Sequence, residues 1–429
     1  MAALTRRQLL GAGGRGVLGT LLAAGLGGCG LTASERTPRG GGGLSLLGDA
    51  ALARAGQALA SAFAAAGGMP PLVNIGEPSL DAVVQQMLAG APGIAPDCLL
   101  ATPAVRENTQ ALPLMENLAP ALSATGLAAG LYPACLQYGQ EGTRQLLIPA
   151  FRDVLVVYYN ADALARGGLT PPAPGWVLSD LSAICRKLRG ANAALEAPLA
   201  NVLNRFDLEL LCAFVAGFGG QMVAPAQVGY VPRFASPAGA AAWSALAALH
   251  AYEPAPGGSA SPRDLFTSGR AAFFFGHHAD LQPIASAVGG LFAWDVAPLP
   301  AFPARAAQPV SADGIAVVTQ DPARRTAAIA FALFAASAPG QQALAASGGG
   351  VPALRDLAAS PTWRALEPPV SLDAFVGRTG ADFVVEMPLD VIAPVLAYAL
   401  GAVVAGVPAA TALAEASTVA EYQLSTWQG

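Results

Sequence analysis

Lysine is almost missing from this chain. Lys187 stands alone among 23 basic residues, and charged side chains make up only 12% of the 429 residues. No basic stripe with interleaved aromatics occurs, and the formal charge is −5. An acidic chain of this kind excludes nucleic acid as a partner and speaks against anionic lipid. One lysine outside any glycine frame excludes a P-loop, and neither G-x-S-x-G nor H-E-x-x-H occurs. Histidine is scarce as well: His250 stands apart from the pair His277 and His278. Neighbours on a strand face opposite ways, so the pair is not expected to share an ion, and neither metal nor cofactor is expected. Ligand contact by one of the pair, His277, is the alternative. Paired carboxylates for glycoside hydrolysis meet only in space, so that class stays open.

Long uninterrupted apolar runs are also missing, although 54% of the residues are hydrophobic. The uncharged stretch Val391 to Ala414 is broken by Pro394, Gly401, Gly406 and Pro408. Gly406-Val407-Pro408 reads as one helix stopping and another starting, so two buried helices are expected in place of a membrane span. Five cysteines occur. Cys98 falls in an apolar strand and Cys185 on an apolar helix face, and buried free thiols are favoured. With Cys135 and Cys212 they still allow three pairings.

At the N-terminus, Thr5-Arg6-Arg7-Gln8-Leu9-Leu10 resembles the twin-arginine export motif. A glycine-diluted apolar stretch follows, and Leu26-Gly27-Gly28-Cys29 resembles a lipobox, which implies lipidation at Cys29 after removal of residues 1–28. Gly11-Ala12-Gly13-Gly14-Arg15-Gly16 fits a dinucleotide fingerprint, but no strand precedes it and it lies in the removable segment. Residues 29–43 read as a flexible tether with a span of roughly 20 Å.

From Leu44 onward short apolar runs alternate with helical patterns. Leu44 to Gly48, Leu72 to Ile75 and Asp97 to Ala101 read as strands; Ala50 to Ala66 and Leu80 to Ala89 read as helices. Such alternation predicts a mainly parallel sheet covered on both faces. The extended run from Gln145 to Asn160 reads as a strand crossing between two lobes.

Several segments then line up with one family. Pro96-Asp97-Cys98-Leu99, Val156-Val157-Tyr158-Tyr159-Asn160-Ala161-Asp162 with Gly168-Leu169, and Pro171-Pro172-Ala173-Pro174-Gly175-Trp176 are three of them. Phe266-Thr267-Ser268-Gly269-Arg270-Ala271-Ala272-Phe273, Ala297-Pro298-Leu299-Pro300 and Gly348-Gly349-Gly350-Val351-Pro352 complete the set. In this order they resemble the family 1 extracellular solute-binding proteins, whose relatives include sugar-binding proteins. One departure is that Val177 and Leu178 stand where the family carries an acid after the tryptophan.

The resemblance implies an α/β protein with the two-lobed periplasmic-binding-protein fold, its lobes discontinuous in sequence and joined by crossing hinge strands. Residues 44–150 with 303–347 form the first lobe, and 151–302 with 348–429 the second. It implies a monomeric, non-enzymatic lipoprotein on the outer face of the cytoplasmic membrane or in the periplasm. Such a protein captures a small solute, with a sugar the expected class, and hands it to the permease of an ABC importer. An exported glycan-acting enzyme and a sensor on the same fold are the alternatives.

Ligands in open α/β sheets lie outside the carboxyl ends of strands. That rule nominates Asp49, Thr102, Tyr138, Asn204, Arg205, Phe206, His277 and Asp313. Each has a plainer reading: Asp49 as a helix cap, Asp313 as a turn residue before Gly314, Tyr138 as a packed rim residue. Trp176 is expected to be structural.

Overall fold

A computed structural model describes residues 43–48, 50–75, 85, 87, 89, 96–101, 112–191, 195–203, 207–226, 229–255, 260–319, 321–366, 368, 370–377, 380–385 and 389–426. The export motif, Cys29 and most of the helix expected over Leu80 to Ala89 lie outside the described residues. The chain opens with β1 (Ser45–Gly48), α1 (Ala53–Ala65), β2 (Leu72–Ile75) and β3 (Cys98–Ala101). All four residues of β3 are buried, as an unbroken apolar run between covered faces requires. Ala55, Leu59 and Phe63 recur at helical spacing on α1 and turn its apolar stripe to the sheet.

The short helix α2 (Pro133–Tyr138) precedes β4 (Ile148–Val154) and β5 (Val156–Asn160). Next come β6 (Ala197–Leu199), α3 (Leu208–Gly217), α4 (Pro237–His250), β7 (Ala271–Gly276) and β8 (Trp294–Pro298). The chain closes with β9 (Gln308–Val317), α5 (Pro322–Ala335), α6 (Ala338–Ala346), β10 (Val351–Pro352), β11 (Asp382–Val384), α7 (Leu389–Val404) and α8 (Ala409–Thr426).

Two main sheets result. The first has the order β10-β4-β9-β3-β1-β2, with β11 also beside β9; the second has the order β8-β5-β7-β6. The run expected to cross between lobes does so: β4 belongs to the first sheet, β5 to the second, and only Leu155 separates them. The return passes from β8 to β9. Gln308, at the start of β9, donates to the Leu155 carbonyl at 3.0 Å and ties the two crossings together.

The expected mainly parallel pairing needs correction. β1 pairs in parallel with β2 and β3, β7 with β6, and β9 with β11. The crossing strands pair antiparallel, β9 with β4 and β8 with β5. A chain that leaves a lobe and returns through the same junction must run its two crossing strands in opposite directions, and this mixes the sheets.

Each lobe has its own core. Leu46, Leu59, Leu100 and Phe331 cluster in the first. Phe214, Trp243 and Phe273 cluster in the second, joined by Ile392, Leu396, Leu413 and Leu424 from α7 and α8. The uncharged C-terminal stretch is thus two packed helices, broken at Gly406 with φ +97. Among the described residues no single helix is long and apolar enough to cross a membrane. The stretch assigned by sequence to the second lobe serves both lobes, since β10 pairs with β4 in the first sheet.

Trp176 is 5% exposed and donates its indole N–H to the Pro298 carbonyl at 2.9 Å, a structural role. The acid missing after it is replaced by Asp180, which accepts the Val177 N–H at 2.9 Å and caps the following helix from within.

Candidate functional site

Five nominated residues, Asp49, Thr102, Asn204, Arg205 and Phe206, lie outside the described residues. Three are placed. Tyr138 ends α2 and is 3% exposed, in a core cluster with Tyr132, Cys135 and Val154. Its ring is enclosed by that packing. Asp313 lies mid-strand in β9 opposite Phe151, where the register slips by one residue before Gly314. The extra residue at the slip is Ala150 of β4, so Asp313 stands opposite the irregularity within a strand and not in the turn expected from Asp-Gly.

His277 follows the last residue of β7, at the junction of the two sheets. Its backbone is held on both sides: the N–H donates to Asp280 Oδ2 at 3.1 Å, and the carbonyl accepts the Tyr158 hydroxyl at 2.6 Å. Its ring faces a group of carboxylates. Nδ1 is 3.0 Å from Asp153 Oδ2 and 4.0 Å from Glu209 Oε2, and Nε2 is 3.7 Å from Asp207 Oδ2. His278 turns the other way and packs against Phe375 and Trp363. The divergence expected of neighbouring residues is what the backbone produces.

These groups come from both lobes. Asp153 is in β4 of the first sheet, and its Oδ1 accepts the Val154 and His278 N–H groups at 2.9 and 3.3 Å. Ser311, in β9 of the same sheet, lies beside Glu209. Asp207 and Glu209 flank the start of α3, where Asp207 Oδ1 accepts the Leu210 N–H at 2.9 Å as an N-cap. The inter-lobe junction therefore carries three carboxylates, an imidazole and a hydroxyl.

The electrostatics follow from crowding. Burial pulls the His277 pKa down, but the charge and hydrogen bond of Asp153, with Asp207 and Glu209, outweigh it and hold the ring well above the usual histidine value. Burial likewise raises Asp153, yet His277 and backbone donors bring its carboxyl below the usual range. Burial and two neighbouring carboxylates push Glu209 up to about 7, against the pull of His277 and Ser311. Raised folded-state pKa values at His277 and Glu209 supply stability that is complete below their unfolded values and lost as pH rises through the folded ones. The unliganded protein is therefore expected to lose melting temperature from about pH 5 upward. Glu209→Gln should flatten that profile up to about pH 7, and a thermal melt of both proteins across the range checks it. An unchanged slope in the variant would show that Glu209 does not titrate there.

Sequence reasoning overlooked Asp153, Asp207, Glu209 and Ser311. A signal existed for Asp153, an acid inside the otherwise apolar crossing run. Asp207 and Glu209 read as ordinary helix-start acids. Cavities of about 330 and 530 Å³ lie elsewhere, the first lined by Pro172, Pro298 and Ser371, the second by Gln137, Gly220 and Arg305. Neither is lined by His277 or its carboxylates, so volume alone does not mark the cluster. Cys98, Cys135, Cys185 and Cys212 are buried and outside any disulfide, and burial raises the Cys135 thiol to about 12, which leaves it unreactive.

No curated protein matches the sequence. Among solved structures, similar folds include the cyclic alpha-maltosyl-1,6-maltose binding protein of Arthrobacter globiformis, with TM-score 0.74 and 15% identity over 89% of this chain and 99% of that one. An ABC substrate-binding protein of Listeria monocytogenes, solved in complex with cycloalternan, has TM-score 0.71 and 17% identity over 88% and 97%. UgpB of Mycobacterium tuberculosis, solved with glycerophosphocholine, has TM-score 0.70 and 17% identity over 90% and 99%. A model of the bacterial extracellular solute-binding proteins matches residues 58–367, and with the two-lobed architecture and its inter-lobe junction this chain belongs to that family.

Proposed function

We propose that the protein captures a neutral carbohydrate between its lobes and delivers it to the permease of an ABC importer, as a monomer. The observation that carries this reading is the cluster of His277 with Asp153, Asp207 and Glu209, drawn from both lobes at their junction. Carboxylates there accept hydrogen bonds from hydroxyl groups, and ligand contacts on both sides favour the closed arrangement over the open one. Carbohydrates bound by the Arthrobacter and Listeria relatives support the class. Asp49, Thr102, Asn204, Arg205, Phe206 and Asp313 remain candidate ligand contacts in this reading.

Three carboxylates around one imidazole repel phosphate. In a thermal-shift panel, malto-oligosaccharides should therefore stabilise the protein, and glycerol phosphates and sugar phosphates should not. Ligand at a hundredfold excess over its Kd adds about 2.7 kcal/mol to folding stability. Stabilisation by phosphates alone would overturn the carbohydrate reading. Glu209, raised to about 7, is the one feature that suits a general acid and hence a glycan-acting enzyme. On the binding reading the oligosaccharide is recovered intact after prolonged incubation.

Anchoring completes the proposal. Lipid on Cys29 and the tether of residues 29–43 would keep both lobes close to the membrane-borne permease. The lobes would follow the limits drawn from the sequence, except that residues 151–154, β10 and β11 join the first. Intact mass of membrane-extracted protein, starting at a lipidated Cys29, tests the anchor; a mass running from Met1 would rule it out.

A further inference from the structure

Glu253 is a buried acid with no part in the cluster just described. It follows α4, and its side chain is 0% exposed. Its carboxylate accepts the backbone N–H of Val202 and, through both oxygens at 3.0 Å, that of Leu203. His250, the last residue of α4, places Nδ1 2.6 Å from Glu253 Oε2. A carboxylate receiving main-chain donors makes charge-assisted bonds, stronger than neutral ones.

The backbone it holds is the approach to the ligand wall. Ala200 to Leu203 leave β6 and lead through residues 204–206 to Asp207, the cap of α3 that faces His277. One residue earlier, Asn201 is 4% exposed and pairs with Phe275 in both directions, Nδ2 to the carbonyl and Oδ1 from the N–H, each at 2.8 Å. That side chain stands in for a strand partner at the end of β7, just ahead of Gly276 and His277. The two loops that bring His277 and Asp207 together are thus tied to each other by Asn201 and to α4 by Glu253.

We propose that Glu253 is a positioning residue for ligand binding: its carboxylate fixes the main chain at Val202 and Leu203 and so sets where Asp207 and Glu209 meet the ligand. The inference rests on the reading of the inter-lobe junction as the binding site. It assigns a binding role to a group too deeply buried to touch a ligand, and it makes α4 a support of the site.

The test uses the full mature chain as wild type, Glu253→Gln and, should that variant fold poorly, His250→Gln. Amide hydrogen exchange is followed across residues 199–211 and in the core helix α4, and maltotriose affinity is measured by calorimetric titration. Exchange at Val202 and Leu203 should accelerate by about tenfold or more while α4 keeps its protection. Maltotriose affinity should fall by about tenfold, with a melting temperature near that of the wild type. A general weakening of the fold would raise exchange in α4 as well, and that result would overturn the proposal. So would unchanged protection at Val202 and Leu203 in both variants, or lost protection with unchanged affinity. If wild-type protein does not bind maltotriose, the carbohydrate reading fails, and the exchange measurement alone decides whether Glu253 holds the loop.

Discussion

Asp382→Ala is expected to destabilise the protein by about 3 kcal/mol, seen as a drop of several degrees in melting temperature. Arg152 is the reason. Its side chain is 0% exposed, and its guanidinium meets Asp382 through two parallel bonds, Nη1 to Oδ2 at 2.6 Å and Nη2 to Oδ1 at 2.9 Å. The Tyr132 ring lies 4.5 Å from Cζ. Removing the carboxylate leaves a cation in the core without its counter-charge, and this loss exceeds what the intact pair contributes. The discount from the full range of about 3–5 kcal/mol reflects Asp382, which keeps 24% of its side chain exposed. The double variant Arg152→Met/Asp382→Leu should recover most of the loss, because it removes both charges and keeps the volume. A single variant as stable as wild type would show that water reaches Arg152. Gly377 belongs to the same arrangement: it has φ +90, and a Cβ there would collide with the guanidinium.

The second large effect concerns binding. Asp153→Ala should weaken carbohydrate affinity by about tenfold to a hundredfold, read by calorimetric titration. Asp153 and Arg152 are neighbours on β4, so their side chains leave opposite faces of the strand. Arg152 anchors the strand through Asp382, while Asp153 faces the junction and holds His277. Loss of Asp153 removes an acceptor for ligand hydroxyls and the partner that keeps the His277 ring charged and oriented. Asp153→Asn separates these contributions, since an amide keeps one acceptor but not the charge. Arg205→Ala and Asp313→Ala complete the series on the two lobes. Unchanged affinity in Asp153→Ala would place the ligand away from this junction. Affinity and unliganded stability lost together would make Asp153 a structural residue.

Much of the architecture was legible along the chain. The strand Leu72–Ile75 has the limits its apolar run predicts. Gly406 and Pro408 announce the break between α7 and α8, because glycine tolerates the left-handed turn and proline suits a helix start. The crossing run and its return were marked by short ordered motifs. All these signals are local: periodicity, turn chemistry and helix ends are encoded within a few residues.

The site was legible only at His277. Strand-end reasoning found it because the carboxyl end of β7 is a position any α/β sheet exposes. Its partners come from β4, from β9 and from the start of α3, segments separated by more than fifty residues, and no local pattern records that they meet. Tyr138 shows the reverse: nominated beside a crossing strand, it is packed with Tyr132 and Cys135. The Asp313-Gly314 pair reads as a turn until pairing with β4 places it within a strand. The sequence by itself determined the α/β class and the helix ends, because backbone sterics and apolar periodicity act between near neighbours, and the two lobes through the resemblance of its ordered motifs. Only the tertiary structure decided which acids share a site and how far each carboxyl shifts, because desolvation and Coulomb interactions depend on distances that chain order does not contain.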